Sequence, residues 1–282
     1  MKILVTGGKG MLGRTLVRRW AGRHTVAPVD IDQCDITDAK ATVACFADLR
    51  PDVVIHCAAH TNVDKCESEV ERAYAINAMG SANVARAAER SGARVIAIST
   101  DYVFSGEADR PYHEWDAPAP RTVYGQSKLA GEIAVRAHCR DHVIARIAWL
   151  YGAGGPSFVH TMLKLGAQGG DPLKVVDDQR GNPTSTDAVA DGLLSLLDHP
   201  LVGTVHLTCE GEDTWCGFTR EILRLAKLNR GVVPCTTADF PRPAPRPASS
   251  RLDKMALRVH RLPAMADWRE TLARFLTDFP NG

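Results

Sequence analysis

The sequence predicts an α/β fold: a Rossmann-like doubly wound parallel sheet with a smaller carboxy-terminal substrate-binding region. Two observations predict it. Short apolar runs alternate with helix-like stretches up to about residue 150, and a glycine-rich segment directly follows the first run. Strands separated by helices form parallel sheets with right-handed crossovers, which bind ligands at the carboxyl ends of their strands. We therefore expect residues 1–150 to bind a dinucleotide and residues 151–282 mainly to bind substrate, with some later segments returning to the sheet.

The first part of the chain contains five predicted strands and four predicted helices. The strands are residues 2–6, 25–29, 52–56, 94–99 and 142–147, and the helices are residues 11–20, 38–49, 69–90 and 124–138. In the first helix, Leu12 and Leu16 lie about one turn apart and are expected to face the sheet. The third helix is rich in Ala, Glu and Arg, a composition that favours helix.

The pattern loosens after Trp149. Helices are predicted at residues 158–168, 187–198, 218–228 and 268–279, and one strand is predicted at residues 173–176. The proline-rich residues 241–247 cannot form a regular helix or a central strand, because proline lacks the backbone donor. We expect a stiff, extended connector there.

Composition excludes several classes of protein. The chain has 282 residues with a formal net charge of +1, which argues against an electrostatic nucleic-acid binder. It contains no apolar run of about 18 residues, so no membrane span is expected. Its eight cysteines form no C-x-x-C pair, so neither a zinc site nor a redox motif is supported. We expect reduced, mostly packed thiols in a cytoplasmic protein.

Three glycines form a candidate phosphate site. Gly7, Gly10 and Gly13 follow the first predicted strand and open the first predicted helix, and Met11 and Leu12 belong to the same candidate cofactor segment. Glycine lets the backbone turn sharply and approach a pyrophosphate, while the helix amino terminus attracts negative charge. Because the G-x-x-G-x-x-G spacing differs from the commonest fingerprint, a purely structural turn is the alternative.

Acidic residues follow the second predicted strand. Asp30 lies at its end, where a carboxylate can bond a ribose hydroxyl. Asp32 and Asp35 are neighbours that could serve instead, and Ile36 completes this candidate cofactor segment. The alternative is a surface loop with spare carboxylates.

Small residues follow the third predicted strand. Ala58, Ala59 and His60 would let a cofactor lie against the strand ends, although tight helix–strand packing would explain the small residues equally well. Asn77, inside a predicted helix, could bond backbone groups near the site. As an isolated asparagine it could also be an exposed helix residue.

A tyrosine and a lysine carry the chemistry. Tyr124 and Lys128 lie four residues apart on a predicted helix, and so on one face. A phenol has a pKa of about 10, and a nearby ammonium favours the phenolate, so the pair can pass a proton to or from a substrate oxygen. Thr100 lies at the end of the fourth strand, where its hydroxyl could bond a substrate carbonyl. Chance spacing is the alternative, but the order of these motifs favours hydride transfer coupled to proton transfer.

The chain resembles the extended short-chain dehydrogenase/reductases and, within them, the dTDP-4-dehydrorhamnose reductases. The matching segments span almost its full length. The most specific are A-A-H-T-N-V-D-K-C-E at residues 58–67 and S-T-D-Y-V-F at residues 99–104, and further matches lie at residues 5–13, 123–132, 176–179 and 246–252.

The resemblance implies NADPH- or NADH-dependent reduction at C4 of a dTDP-linked 4-keto-6-deoxysugar, the last step to dTDP-L-rhamnose. It implies catalytic roles for Thr100, Tyr124 and Lys128, the last two also contacting the cofactor. The substrate contacts that it implies are Asp101, Tyr102, Trp149, Arg246 and Arg251. We expect a homodimer with neither a nucleic-acid nor a membrane partner.

One departure from the family concerns metal. Some members use an acidic residue of the first helix to help bind Mg²⁺ at a dimer contact, whereas the matching position here is Thr15, so we assign no metal ligand. Two alternatives stay open for function. One is a reductase of another nucleotide-linked 4-keto-deoxysugar. The other is a non-catalytic partner like the regulatory beta subunit of methionine adenosyltransferase, which resembles these reductases.

Overall fold

A six-stranded parallel sheet lies at the centre of the computed structural model, which describes residues 1–279. Its strands are β1 (Lys2–Thr6), β2 (Thr25–Val29), β3 (Val53–His56), β4 (Arg94–Thr100), β5 (His142–Ile147) and β10 (Gly203–His206). They are hydrogen-bonded in the order β10-β5-β4-β3-β1-β2. The predicted doubly wound sheet is therefore confirmed, and its strand order reverses between β1 and β3, where such sheets bind ligands.

Helices cover both faces of this sheet. The α-helices are α1 (Met11–Trp20), α2 (Ala39–Leu49), α3 (Val63–Cys66), α4 (Val70–Tyr74), α5 (Ser81–Ser91), α6 (Val123–His138), α7 (Phe158–Gln168), α8 (Thr186–Leu194), α9 (Trp215–Leu225), α10 (Met255–Val259) and α11 (Trp268–Asp278). On one face α1 packs against α8, and on the other α2, α5 and α6 lie side by side. Successive β1 residues alternate between the two apolar clusters, Ile3 and Val5 facing the first and Leu4 the second.

The sixth strand, β10, was not predicted, because its four residues G-T-V-H contain a glycine and only one strongly apolar side chain. It pairs in parallel with β5, aligning Val205 with Ala145. The strand β10, which lies beyond residue 150, therefore forms part of the central sheet. The functional division of the chain at residue 150 stays a prediction.

The predicted helix at residues 69–90 is interrupted. It consists of α4, a π-helical turn (Ala75–Gly80) and α5. Gly80 allows close packing in this turn, since a Cβ there would lie 2.7 Å from the Ile36 side chain. The short helix α3, also not predicted, begins after Asn62, whose side chain accepts a hydrogen bond from the Lys65 amide at 3.1 Å.

The remaining strands form three small pairs beside the sheet. They are β7 (Leu173–Val176) with β12 (Val232–Cys235), β6 (Leu150–Tyr151) with β9 (Thr184–Ser185), and β8 (Arg180–Gly181) with β11 (Asp213–Thr214). Residues 241–247 form no regular element. They are nevertheless anchored, because Ala244 is buried and its amide donates to Asp64 of α3 at 3.3 Å. From residue 1 to residue 279, no helix combines the length and apolar character needed to cross a bilayer.

Candidate active site

A cavity of about 1470 Å³ opens at the carboxyl ends of the parallel strands, beside the reversal of strand order. Residues from both halves of the chain line it. Its lining includes these predicted site residues: Gly7, Gly10, Met11, Leu12, Gly13, Asp30, Asp35, Ile36, Ala58, Ala59, Thr100, Asp101, Tyr102, Tyr124, Lys128, Trp149 and Arg246. The structure thus brings most of the candidates together, while His60, Asn77 and Arg251 lie outside the lining.

The glycine loop is built for close approach of backbone to ligand. Gly7 has φ +68°, and a Cβ there would lie 2.7 Å from the Ala58 amide nitrogen. A Cβ on Gly13 would lie 2.5 Å from the Gly7 carbonyl oxygen, and the Gly10 amide donates to that oxygen at 3.0 Å. The loop leads into the amino terminus of α1, so this cradle of amides and positive helix end fits the diphosphate of a dinucleotide.

Asp30 closes this loop from the end of β2. Its carboxylate accepts hydrogen bonds from the backbone amides of Lys9 and Ile31, each at 3.0 Å. The Lys9 ammonium pairs instead with Asp32 at 2.7 Å, and this hydrogen bond lowers the pKa of Asp32. Asp30 is therefore held at the cavity edge with lone pairs left for a ribose hydroxyl. The Asp35 carboxylate accepts from Thr37 at 2.8 Å, a local turn bond.

Asn77 and His60 support the cavity wall from behind. Asn77 is fully buried rather than exposed, on the π-helical turn. Its side chain accepts from the His60 amide at 2.7 Å and donates to the His60 carbonyl at 3.1 Å. The His60 ring contacts Glu69 at 2.9 Å. Their direct contact with a cofactor stays a prediction.

The first turn of α6 positions the tyrosine and the lysine. The Thr122 hydroxyl caps this helix by accepting from the Gly125 amide at 3.0 Å. Tyr124 and Lys128 are both more than nine-tenths buried and line the cavity. The Lys128 ammonium donates to the Ile98 carbonyl of β4 at 2.8 Å, which ties α6 to the sheet.

Burial decides the proton affinities of this pair. It raises the pKa of Tyr124, and a hydrogen bond with Thr100 opposes the rise without cancelling it. The sequence-based expectation of a lowered phenol pKa is therefore wrong for this structure, because the loss of water on burial has the larger effect. Burial likewise lowers the pKa of Lys128 to about 8, against the opposing effect of the Glu132 charge. Each side chain is shifted toward its neutral form.

Glu132 belongs to a buried charge network beneath these groups. It accepts from the Ser99 hydroxyl at 2.6 Å and from Arg146 at 2.7 and 2.9 Å. Burial alone would raise the pKa of Glu132, but the bonds from Arg146 and Ser99 leave it lowered. The network therefore links β4, β5 and α6. Its member on β4, Ser99, immediately precedes Thr100.

Thr100 and Asp101 end β4 at the cavity. The Thr100 hydroxyl donates to Asp101 at 2.9 Å. Burial raises the pKa of Asp101 to about 6, although the hydrogen bond from Thr100 favours the ionised form. The second carboxyl oxygen of Asp101 is buried and has no partner among the described side chains and backbone.

Two tryptophans form an aromatic wall that the sequence predicted only in part. Trp149 adopts φ +46° and stacks on Trp215 with ring centroids 3.5 Å apart. Gly181 leaves room for the Trp149 ring, which a Cβ would meet directly. Trp215 lines the cavity and donates to Gln179 at 3.0 Å. Sequence reasoning missed Trp215, because a tryptophan at the start of an amphipathic helix is indistinguishable from a core residue.

The arginines of the carboxy-terminal segment do not act alike. Arg246 lines the cavity and pairs with Asp64 at 2.8 Å, and Arg242 also lines it. Arg251 points elsewhere, its guanidinium donating to the carbonyl of Asp109 at 2.5 Å. The structure therefore gives Arg251 a bracing position, and its predicted substrate contact lacks support from the cavity geometry.

Thr15, at the position of the family's acidic metal ligand, is buried. Its hydroxyl contacts the Met11 carbonyl at 3.0 Å and the Thr186 hydroxyl at 2.9 Å. No cluster of three or more His, Cys, Asp or Glu side chains suited to a metal occurs within the described part of the chain.

Comparison with known proteins gives full-length matches. The family model described as RmlD substrate binding domain matches residues 1–281. The dTDP-4-dehydrorhamnose reductase of Streptomyces griseus is 43% identical, the match covering 95% of this chain and 91% of the relative. A probable dTDP-4,6-dihydroxy-2-methyloxan-3-one 4-ketoreductase of Streptomyces antibioticus is 42% identical, covering 99% and 95%.

A solved structure agrees with this fold. The dTDP-4-dehydrorhamnose reductase of Bacillus anthracis, in complex with NADP, superposes with a TM-score of 0.96 at 37% identity, covering 98% of this chain and 99% of that one. The similarity extends over the sheet, the glycine loop and the carboxy-terminal region alike. The chain belongs to the RmlD substrate binding domain family.

Proposed function

We propose that this protein is an NAD(P)H-dependent reductase that converts the C4 keto group of dTDP-4-dehydro-L-rhamnose to the alcohol of dTDP-L-rhamnose. The observation that carries the proposal is a single cavity in which a glycine-lined diphosphate cradle meets Thr100, Tyr124 and Lys128. The Streptomyces griseus relative bears the name of this activity at 43% identity.

The residues divide the reaction between them. When bound in this cavity, a reduced nicotinamide would supply hydride to the sugar carbon. Tyr124 donates its phenolic proton to the oxygen of the same carbonyl, and its raised pKa keeps that proton in place until negative charge develops. The Thr100 hydroxyl, turned from Asp101 when substrate binds, donates to that oxygen and orients it. Lys128, anchored on the Ile98 carbonyl, holds positive charge next to the phenol and reaches the nicotinamide ribose.

The cofactor lies along the first half of the cavity in this proposal. Gly7, Gly10 and Gly13 would hold its diphosphate, and Asp30 would accept from a hydroxyl of its adenine ribose. Lys9 is exposed beside that carboxylate, and Arg14 donates to the Lys9 carbonyl at 2.7 Å. The 2′-phosphate of NADPH would therefore lie near the Asp30 carboxylate and also near the cationic side chains of Lys9 and Arg14. This supports use of both NADH and NADPH with weak discrimination.

The nucleotide sugar occupies the second half. Trp149 and Trp215 offer flat apolar surface to the base or sugar, while Arg242 and Arg246 present paired donors to its diphosphate. Reduction of a different dTDP-linked 4-keto sugar is the second candidate. The Streptomyces antibioticus relative favours it, since that protein is named as a 4-ketoreductase of another sugar at nearly the same identity.

All eight cysteines are unpaired thiols, which supports a reducing compartment such as the cytoplasm. A homodimer stays a prediction, to be checked by light scattering.

The deciding experiment follows NAD(P)H oxidation with the dTDP-4-keto sugar generated in situ by upstream enzymes. We expect turnover in the wild type and loss of turnover in Tyr124→Phe, which keeps the ring. Turnover with another 4-keto sugar alone would favour the second candidate. Absence of oxidation with every sugar, in a protein that still binds cofactor, would instead favour the non-catalytic partner.

A further inference from the structure

A continuous series of buried hydrogen bonds begins at the cofactor side of the cavity. The Ala58 amide, which packs against Gly7, lies 3.4 Å from the Thr6 hydroxyl. That hydroxyl lies 2.7 Å from Nδ1 of His56, its neighbour on β3. On the other side of the ring, Nε2 of His56 lies 3.0 Å from the Ser81 hydroxyl. His56 thus bridges the cofactor wall and the start of α5.

The series continues to the catalytic helix. The Ser81 hydroxyl donates to the Asn77 carbonyl at 2.7 Å, and the Asn77 side chain donates to the Ser127 hydroxyl at 2.9 Å. Ser127 in turn donates to the Tyr124 carbonyl at 2.9 Å. Since Ser127 immediately precedes Lys128, the series ends between the two residues that carry the chemistry.

The direction of each hydrogen bond is fixed by its neighbours. A carbonyl only accepts, so the Ser81 proton is used there, and Ser81 must accept from His56 Nε2–H. A neutral imidazole carries one N–H, so His56 Nδ1 accepts and the Thr6 hydroxyl donates to it. Thr6 is then left to accept from the Ala58 amide. The ring is neutral because burial, aided by the Lys128 charge, lowers the pKa of His56 to about 3.

A buried histidine usually just satisfies the polar groups of a core. His56 differs because both ends of its network reach the cavity, and because Thr6, His56, Ser81, Asn77 and Ser127 are all at most 3% exposed. Water cannot replace a lost partner at these positions without a rearrangement. If the residues at one end of this hydrogen-bond series move, we therefore expect the segment at the other end to move with them.

We propose that His56, held as its Nε2–H tautomer, is a positioning residue that fixes the Ala58 wall of the cofactor site and the catalytic helix α6 at their working separation. For its catalytic readout this inference rests on the proposed reductase function. Its structural and cofactor-binding readouts do not.

The tautomer is tested directly by nitrogen NMR of the histidine rings in the full-length protein, with His56→Gln identifying the resonance. We expect one ring with a protonated Nε2 and an unprotonated Nδ1 that does not titrate between pH 5 and 9. A protonated Nδ1, or titration of this ring near its ordinary pKa, would overturn the proposal.

Two variants cut the series on opposite sides. In His56→Asn the amide oxygen reaches the place of Nδ1 and accepts from Thr6, but the link to Ser81 is lost. In His56→Gln the longer amide donates to Ser81, but Thr6 loses its acceptor. We expect His56→Asn to lower kcat about fivefold with a cofactor Kd within about twofold of the wild type. We expect His56→Gln to raise the cofactor Kd about fivefold with kcat less affected.

His142→Asn is the matched control, because His142 is buried in the same sheet and its ring, among the described residues, bonds only the Cys139 carbonyl, at 2.7 Å. It should lower the melting temperature, and it should not change kcat or the cofactor Kd selectively, one without the other. If both His56 variants changed only the melting temperature, or shifted kcat and Kd together, His56 would be a core residue and the proposal would fail. If neither variant folds, the milder changes Thr6→Val and Ser81→Ala replace them. We expect Ser81→Ala to lower kcat and Thr6→Val to raise the cofactor Kd. The same outcomes as for the His56 variants would refute the proposal.

The two proposals fail separately. Cofactor Kd, titrated without sugar, and the tautomer both test His56 whether or not the sugar reacts. Absence of turnover in the wild type would contradict the reductase function alone.

Discussion

Ionisation of Asp101 is expected to destabilise the fold. Burial raises the pKa of Asp101 from 3.8 to about 6. Below pH 3.8 the carboxyl is protonated in the folded and the unfolded chain and has no effect. Above that value the unfolded chain loses its proton first, so stability falls as pH rises toward the folded pKa. Each pKa unit corresponds to about 1.4 kcal/mol, so above pH 6 the loss reaches about 3 kcal/mol.

Asp101→Asn removes this effect, because asparagine is uncharged at every pH and keeps an oxygen to accept from Thr100. We expect its free energy of unfolding to exceed that of the wild type by about 3 kcal/mol at pH 7.5, and by roughly half as much at pH 5. Urea denaturation at both pH values measures the two differences. Because the Asp101 charge raises the pKa of Tyr124, the basic limb of kcat/KM should also move to lower pH in the variant.

Asp64→Asn is the control, because its expected change in stability has the opposite sign to that of Asp101→Asn. Burial would raise the pKa of Asp64, but the hydrogen bond from Arg246 leaves it lowered, so its stabilisation is present at neutral pH and is lost in acid. That variant should be less stable than the wild type at pH 7.5. The reasoning on Asp101 is refuted if Asp101→Asn is destabilised at pH 7.5, or if its gain in stability is the same at both pH values.

The other predictions concern chemistry and specificity. Tyr124→Phe should lower turnover by roughly 10²–10⁴ with normal cofactor binding, and near-native turnover in steady-state assays would exclude the phenol as proton donor. Lys128→Met should weaken turnover and cofactor affinity and shift the basic limb of the pH–rate profile; an unchanged profile with unchanged affinity would leave it a structural lysine. Arg242→Ala combined with Arg246→Ala should raise KM for the nucleotide sugar but not for NAD(P)H, whereas Arg251→Ala should lower only the melting temperature. An equal rise in KM for the nucleotide sugar in Arg251→Ala and in the double variant would contradict that assignment. NADH and NADPH should differ in kcat/KM by less than about a hundredfold, about 2.7 kcal/mol, and a larger measured ratio would contradict dual use.

Much of the fold was predictable because its signals are local. Four of the first five strands, β1, β3, β4 and β5, are short apolar runs that become buried on both faces, whereas β2 lies at the edge of the sheet and stays partly exposed. The intervening helices carry their apolar residues at helical spacing. The glycine loop and the Tyr124–Lys128 pair are equally local, since a strand, a turn and one helical turn suffice to place them. The resemblance to a known family then indicated which of these residues contact the cofactor and which act in catalysis.

Long-range contacts were beyond local reasoning. The strand β10 gains its place from pairing with β5, and Trp215 gains its role from stacking on a ring 66 residues earlier. Arg242, in the proline-rich residues 241–247, and Arg251, just after them, look alike in the sequence, yet only Arg242 lines the cavity, because Arg251 donates to the Asp109 carbonyl.

The sequence by itself therefore determined the chemistry available to this protein: a tyrosine, a lysine and a threonine beside a diphosphate cradle. Only the tertiary structure decided how that chemistry is tuned. Burial, which no local pattern reports, raises the pKa of Tyr124, lowers that of Lys128 and leaves one Asp101 oxygen without a partner within residues 1–279. Proton affinity depends on how much water the whole fold removes from a group, and that is a property of residues distant in the chain.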